Sequence, residues 1–476
     1  MIQESSSDNF RETAKKAYSR PLDRPAVDAY FAEYALRENH DVWDEIKYHQ
    51  LKFLRDPRNP ELLNRLAGLF VKTGKPSLAR MCLLESLRRD ATQHHVFERV
   101  RELEPFSAPL ALEDPGTGDD KISVLMPTYD RGALIRESIE SVLNQSYQNF
   151  ELLIGNDGGL AETGAVVESF RSEKIRYFYF SENKGRPAVI NELARRATGR
   201  YIAYLDDDDV YYPGCLAKLR NAVENSGLPL AYGRSIVLEG DVVNGRFRGG
   251  RTLRFYGGPF ERDSFLTRTL VTTCAVLHEK SLFREFGLLN EDFYVSEDWE
   301  FCWRILGKYD FACVDELVAE YRIRADNVTR SNAVGTGFMA ALMPNYHYFQ
   351  DGRLALAKYF IHKRDRKKAR RLFDEVKNNF WIWPRSRPLF DEFLEVSLGA
   401  GDFRFTWKLL ANLSAFSLKA CARALTPRRS VTAWIMLGAL AARKLFVKML
   451  IKTRVIRTKT EPRRHAAVPP GARKNK

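Results

Sequence analysis

The stretch YIAYLDDDD, residues 201–209, decides how this chain is read: an apolar run from Tyr201 to Leu205 passes directly into Asp206, Asp207, Asp208 and Asp209. A run of that kind suits a strand buried on both faces of a parallel sheet. Four adjacent carboxylates repel one another, and gathering them at the mouth of a sheet is costly without a cation. Mg²⁺ or Mn²⁺ held by one or two carboxylates plus phosphate oxygens is the natural counter-charge. The plain alternative is a solvated acidic turn ahead of Pro213.

Working outward, ISVLMP, FELLIGND and IRYFYF read as three further strands, with helical stretches between them. Strands alternating with helices predict a parallel sheet in an α/β fold, with ligands at the carboxyl ends of the strands. The first strand ends in PTYDR, where Tyr129 offers an aromatic face to a nucleobase. The second ends in Asn156, Asp157 and Gly158, where Asp157 can accept from a base N–H. Either residue alone is an ordinary turn residue, but on neighbouring strands they describe a nucleotide pocket.

Together VLMPTYDR, GNDGG, NKGRPAVINELARRATGRYIAYLDDDD and FYVSEDWEFCWRI resemble the family 2 glycosyltransferases, over about 200 of the 476 residues. The resemblance implies the GT-A nucleotide-sugar-binding fold, an inverting, metal-dependent transfer and a UDP-sugar donor. It implies that Pro127, Thr128, Tyr129 and Asp157 border the base and that Asn183, Gly185 and Arg186 form a loop approaching the nucleotide. It further implies that Asp206 contacts the ribose, with Asp207 beside it on the donor, and that Asp208 binds Mn²⁺ or Mg²⁺ to complete a DxD motif. Asp298 takes the place of the catalytic base, and Arg304 that of a basic residue fixing its helix. Two positions depart from the pattern: Asn156 stands where an acid is usual, and Arg324, in YRIRADNVTR, stands where a His often helps hold the diphosphate.

The chemistry agrees with those roles. Sugar transfer needs the leaving diphosphate neutralised and an acceptor hydroxyl deprotonated, tasks for a cation and a carboxylate. VSEDWEFCWRIL also reads more simply as a helix start with Ser296 as N-cap and acids in the first turn. His278 reads as a satisfied core histidine rather than a ligand.

The flanks are helical. Residues 1–118 show apolar spacings of three and four in DAYFAEYALREN and LLNRLAGLF, closed by EDPGTGDD before the 119–330 domain. LAGLFVKTGKPSLARMCLLESL resembles a tetratricopeptide hairpin and recurs as LAKYFIHKRDRKKARRLFDEV within a second helical region, 331–430, where FLEVSLGAGDFRFTWKLLANL is a third candidate pair. Such hairpins need stacked neighbours, so they are expected to pack on each other or on the central domain, with a protein partner as a further use.

The net charge of +14 is localised. Residues 403–476 hold 18 Lys and Arg against Glu461 alone, leaving the body at −3, so nothing marks the body as a specific nucleic-acid binder. VTAWIMLGALAA, residues 431–442, is about 18 Å long as a helix, against roughly 30 Å to cross a bilayer. With Gly438, Ala442, Leu445, Phe446 and Met449 on one face, residues 431–476 read as an amphipathic helix and basic tail for an anionic membrane surface.

Six scattered cysteines without a CxxC pair, and an N-terminus without an apolar segment, predict a cytoplasmic protein at the inner face of a membrane. The expected acceptor is a surface-glycan or lipid-linked hydroxyl. The rivals are a non-catalytic adaptor built on helical repeats with a relic sugar-nucleotide domain, and a nucleotidyltransferase. The latter would want a richer glycine loop than PTYDRG.

Overall fold

The computed structural model describes residues 24–103 without 38, 120–324 without 133, 161, 268 and 269, 353–378, and the single positions 335, 338, 339 and 396. Among the described residues five helices come first: α1 Arg24–Leu36, α2 Val42–Arg55, α3 Pro60–Lys72, α4 Pro76–Arg89 and α5 His94–Glu102. Local chemistry sets their ends. Asp41 caps α2 by accepting from the Asp44 N–H, and Asn59 caps α3 through the Glu61 N–H, with Pro60 at the first helical position.

The α3–α4 pair is the first expected hairpin; α13 Arg353–His362 and α14 Arg366–Asn378 form the second. The two stack through Phe97 of α5 on Tyr359, whose ring centroids lie 4.0 Å apart, and Lys358 Nζ donates to the Arg88 carbonyl at 3.2 Å. The third candidate pair and residues 431–476 lie outside the described residues, Val396 excepted.

The central sheet has nine strands: β1 Ile122–Thr128, β2 Phe150–Asp157, β3 Ile175–Phe180, β4 Tyr201–Tyr204, β5 Val210–Tyr211, β6 Leu230–Val243, β7 Arg246–Tyr256, β8 Val276–Glu279 and β9 Ala312–Ile323. Their order is β3-β2-β1-β4-β8-β6-β9-β5, with β7 paired to β6. The first four are parallel, as the sequence predicts. β8 then runs antiparallel to β4 and β6, while β6 and β9 are again parallel. The helices are α6 Ile135–Leu143, α7 Glu162–Glu168, α8 Arg186–Arg196, α9 Cys215–Ser226, α10 Arg262–Thr267, α11 Ser281–Phe286 and α12 Glu297–Leu306.

Strand alternation sorts the core into two layers. Ile122, Val124 and Met126 join Ile139 and Leu216 on one face, while Leu125, Leu153 and Ile202 join Val189 and Leu193 of α8 on the other. That second layer continues without a break into Leu66, Phe70, Leu83 and Leu87 of the N-terminal hairpin. The hairpins therefore pack both on each other and on the sheet domain.

His278 of β8 is fully buried between Phe283 and Phe301. Its Nδ1 lies 2.7 Å from the Glu279 carbonyl, which can only accept, so Nδ1 carries the hydrogen and Nε2 accepts from the Tyr204 hydroxyl at 2.6 Å. Burial pulls its pKa down to about 4. The unfolded chain takes up a proton near pH 6.5 that the native site refuses until about 4, so stability should fall as pH drops through that window, by up to about 3 kcal/mol. Urea unfolding at about pH 7 and about pH 4.5 measures this difference. His278→Gln should shrink it, with His49, also pulled down to about 4 by burial, supplying part of what remains.

Candidate functional site

The acidic run leaves β4 as a tight turn, the Asp209 N–H donating to the Asp206 carbonyl at 3.2 Å. Only Asp206 keeps appreciable exposure, with 26% of its side chain open, whereas Asp207, Asp208 and Asp209 are buried. The counter-charge that the sequence demands comes first from the chain's own guanidinium groups. Arg131 Nη1 reaches Asp207 Oδ1 at 3.0 Å and Asp208 Oδ2 at 2.9 Å, and Arg324 Nη1 reaches the same Asp208 oxygen at 3.0 Å.

Asp207 also accepts from the Thr128 hydroxyl at 2.7 Å, which uses both residues inside the protein. Burial, with Asp208 adding to it and Arg131 opposing, pushes the Asp207 carboxyl up to about 7. Burial raises Asp208 as well. Asp209, buried and beside the same acids, is pushed far above the carboxylate range while its Oδ1 accepts from the Arg322 N–H at 2.9 Å.

Arg186, the first residue of α8, joins two parts of the site. Its Nε and Nη2 contact the two Asp206 oxygens at 2.9 and 3.2 Å, and its Nη1 donates to Glu297 at the head of α12. Gly185 makes the turn into α8 with φ of 86°, a conformation that L side chains rarely adopt. Both Asp157 oxygens accept from this loop, from Lys184 N–H at 2.7 Å and Gly185 N–H at 2.9 Å. Asp157 thus fixes the loop that delivers Arg186. Gly155 lets α8 lie close, since a Cβ there would meet Val189 at 2.6 Å.

Ser296 stands at the N-cap position of α12, as expected. It caps nothing with its side chain, however: its φ is 62°, and it serves as the bend that turns the chain into the helix. Asp298 then presents Oδ2 to the Thr273 hydroxyl and Oδ1 to the Trp299 N–H at 2.8 Å. Glu297, buried one residue earlier, has its pKa raised by burial against the opposing Arg186 charge. Arg304 locks the helix from behind, reaching Glu300 and the carbonyls of Phe286, Gly287 and Leu288. Beneath Asp298 lies a mainly apolar cavity lined by Tyr204, Val276, His278, Trp299, Phe301 and Cys302 among others.

The structure therefore gathers Thr128, Arg186, Asp206, Asp207 and Asp208 at the strand ends and ties them through Arg186 to the Glu297-Asp298 pair. Tyr129 stands at the rim, 47% exposed. Pro127 sits opposite Gly155, beyond the last β1 residue paired with β4, where its missing N–H breaks no ladder bond on that side. Asn183 closes its own loop, Oδ1 accepting from the Gly185 N–H at 3.2 Å. Asn156, the departure noted in the sequence, accepts from Gly159 N–H at 2.9 Å and donates to the Tyr177 hydroxyl at 2.9 Å. Arg131 and Thr273 are the site residues that sequence reasoning does not single out: Arg131 lies within PTYDR, whereas Thr273 carries no signal of its own. Among the described residues no three His, Cys, Asp or Glu side chains are grouped so as to hold a metal by themselves.

Residues 123–284 match the model of the family described as "Glycosyl transferase family 2". An uncharacterized glycosyltransferase of Rickettsia felis is 29% identical over 198 residues, 39% of this chain and 31% of that protein. The chain thus spans about a third of that relative. The GalNAc(5)-diNAcBac-PP-undecaprenol beta-1,3-glucosyltransferase of Campylobacter jejuni is 28% identical over 219 residues, 44% of this chain and 67% of that protein. A UDP-Glc:alpha-D-GlcNAc-diphosphoundecaprenol beta-1,3-glucosyltransferase of Escherichia coli is 30% identical over 129 residues, 27% of this chain and 51% of that protein. Among solved structures, S. aureus TarS 1-349 in complex with UDP-GlcNAc aligns with 17% identity and a TM-score of 0.38, covering 61% of this chain and 83% of that one. Residues 123–284, which carry β1 to β8 and the acidic run of the site, are thus similar to the family 2 glycosyl transferases.

Proposed function

We propose that the chain is an inverting glycosyltransferase that moves a sugar from a nucleotide diphosphate, a UDP-sugar, to a hydroxyl of a lipid-linked or surface glycan. The observation that carries this reading is the Arg186 bridge. It holds the strand-end acid Asp206 and Glu297, the neighbour of Asp298 at the head of α12, at one mouth of the sheet. Two of the relatives, both glucosyltransferases on undecaprenol-linked glycans, point to the acceptor class. The adaptor reading would leave the guanidinium-balanced acid cluster without a use.

In the proposed reaction Tyr129 and the ends of β1 and β2 border the base, with Asp206 at the ribose. Asp298 takes the proton of the acceptor hydroxyl, whose oxygen attacks the anomeric carbon as the bond to the diphosphate breaks, inverting the centre. Arg131, Arg186 and Arg324 are the chain's own charges for the departing diphosphate.

The acid cluster also fits a divalent cation. Mg²⁺ needs only one or two carboxylates, the rest coming from phosphates and water. Both guanidinium contacts to Asp208 fall on Oδ2, which leaves Oδ1 as the oxygen that would ligate the cation. When bound, Mn²⁺ or Mg²⁺ would neutralise charge on the diphosphate. Residues 431–476 would hold the protein against an anionic membrane at its cytoplasmic face. Among the described residues, no helix is long and apolar enough to cross one.

Three outcomes are expected. In a thermal-shift screen of nucleotide sugars with and without Mn²⁺, UDP-sugars should stabilise the protein, at 100 times Kd by about 2.7 kcal/mol; Asp208→Ala should abolish the Mn²⁺ increment, and full transfer with an intact metal response in that variant would remove Asp208 as a ligand. Asp298→Asn should bind UDP normally and lose transfer by a factor of at least about 10². Deleting residues 431–476 should release the protein from phosphatidylglycerol vesicles and leave transfer to a soluble acceptor unchanged; vesicle binding that survived the deletion would sink the membrane role of this segment.

A further inference from the structure

We infer that the N-terminal hairpin α3–α4 is a positioning device for Asp298, acting through Asp292; this rests on Asp298 being the general base. Helix α4 starts at Pro76 with Lys75 in the cap position and no side-chain cap of its own. Its leading N–H groups need an acceptor from elsewhere. Asp292, 215 residues on in the chain, supplies it: Oδ2 accepts from the Ser77 N–H at 2.7 Å. A carboxylate at a helix N-terminus also gains from the helix dipole. Alongside it, Lys75 Nζ donates to the Glu291 carbonyl at 2.9 Å.

The grip extends along the segment that leads into α12. The Tyr294 hydroxyl accepts from Gln50 Nε2 at 2.9 Å, and Trp43 meets the Tyr294 ring edge-on at 5.3 Å. Gly335 closes on the same ring so tightly that a Cβ would lie 2.9 Å from Cε2. From the opposite side Asn191 of α8 bonds both the N–H and the carbonyl of Leu289 at 2.9 Å and reaches Glu291 Oε1 at 2.8 Å. Residues 289–294 are therefore clamped between α8, which begins at Arg186, and helices α2 and α4. The chain then turns at Ser296 and enters α12 at Glu297. Asp292 touches neither Asp298 nor the strand-end acids in any described contact; it acts by fixing where α12 starts.

The test compares Asp292→Ala with Asp292→Asn in the full chain. Three quantities are read: hydrogen exchange of the peptide covering residues 289–300, binding of UDP with Mn²⁺, and transfer kinetics with the UDP-sugar that stabilises the protein. Asp292→Ala should raise exchange there about tenfold and lower kcat by about 10- to 100-fold, with UDP affinity and donor KM unchanged. Asp292→Asn keeps a capping oxygen and should restore most of both. Unchanged exchange, a fall in UDP binding parallel to kcat, or failure of Asn to restore would each overturn the inference. Normal turnover by Asp298→Asn would instead refute the base assignment, and the exchange measurement would still decide whether the clamp exists.

Discussion

The rest of the site depends on Arg186 being shared between Asp206 and Glu297. A cation at the first position of a helix faces the positive end of the helix dipole, so Arg186 is unfavourable where it stands unless acids meet it. Two do, one from the end of β4 and one from the head of α12. Breaking such a pair leaves a buried Glu297 uncompensated, at a cost of about 3 to 5 kcal/mol. The loop geometry behind it follows the same need: Asp157 fixes the Lys184 and Gly185 N–H groups, and Gly155 admits α8 against β2.

The acid run shows how an electrostatic problem can be solved locally. Burial pushes the Asp209 carboxyl up, and Asp206, Asp207 and Asp208 face Arg186, Arg131 and Arg324. Each of those three acids is thus met by a guanidinium group. In the proposed reaction a diphosphate and a divalent cation carry nearly cancelling charge, so their joint arrival preserves that balance, whereas either alone disturbs it. Arg324, standing where the resembled family often has a His that helps hold the diphosphate, fits this arrangement, since it adds positive charge at Asp208.

What could be read from sequence follows from where the information lies. Parallel strands buried on both faces read as apolar runs, so β1, β2 and β4 and the polar residues at their ends were legible, and with them the placement of Asp157, Asp206 and Asp208. At the sheet edge, β3 was legible from its aromatic and β-branched content. Asp298 was legible only through the family motif, because an acid in the first turn of a helix is also what capping would place there. Arg131 and Thr273 act through partners 76 and 25 residues away, and no spacing rule announces them. The β6–β7 hairpin escaped notice because two register shifts, at Val237/Leu238 and Glu239/Gly240, and paired glycines blur its alternation. Ser296 was placed correctly and misread in conformation: a Ser ahead of an acidic turn predicts a capping hydroxyl, yet the approach from residues 289–294 forces a left-handed bend.

The same long-range contacts bear on what the helical repeats are for. A hairpin that presents a surface to a partner should keep one apolar stripe inward and a polar face outward. Helix α4 does not: every residue from Leu78 to Leu87 is buried. It lies between α3, the second hairpin and the sheet domain, with its N-terminus held by Asp292. A helix enclosed on all sides has little surface left for recognition. Its packing beside α12 is set by the core it shares with the sheet, so the N-terminal helices are built into the sheet domain.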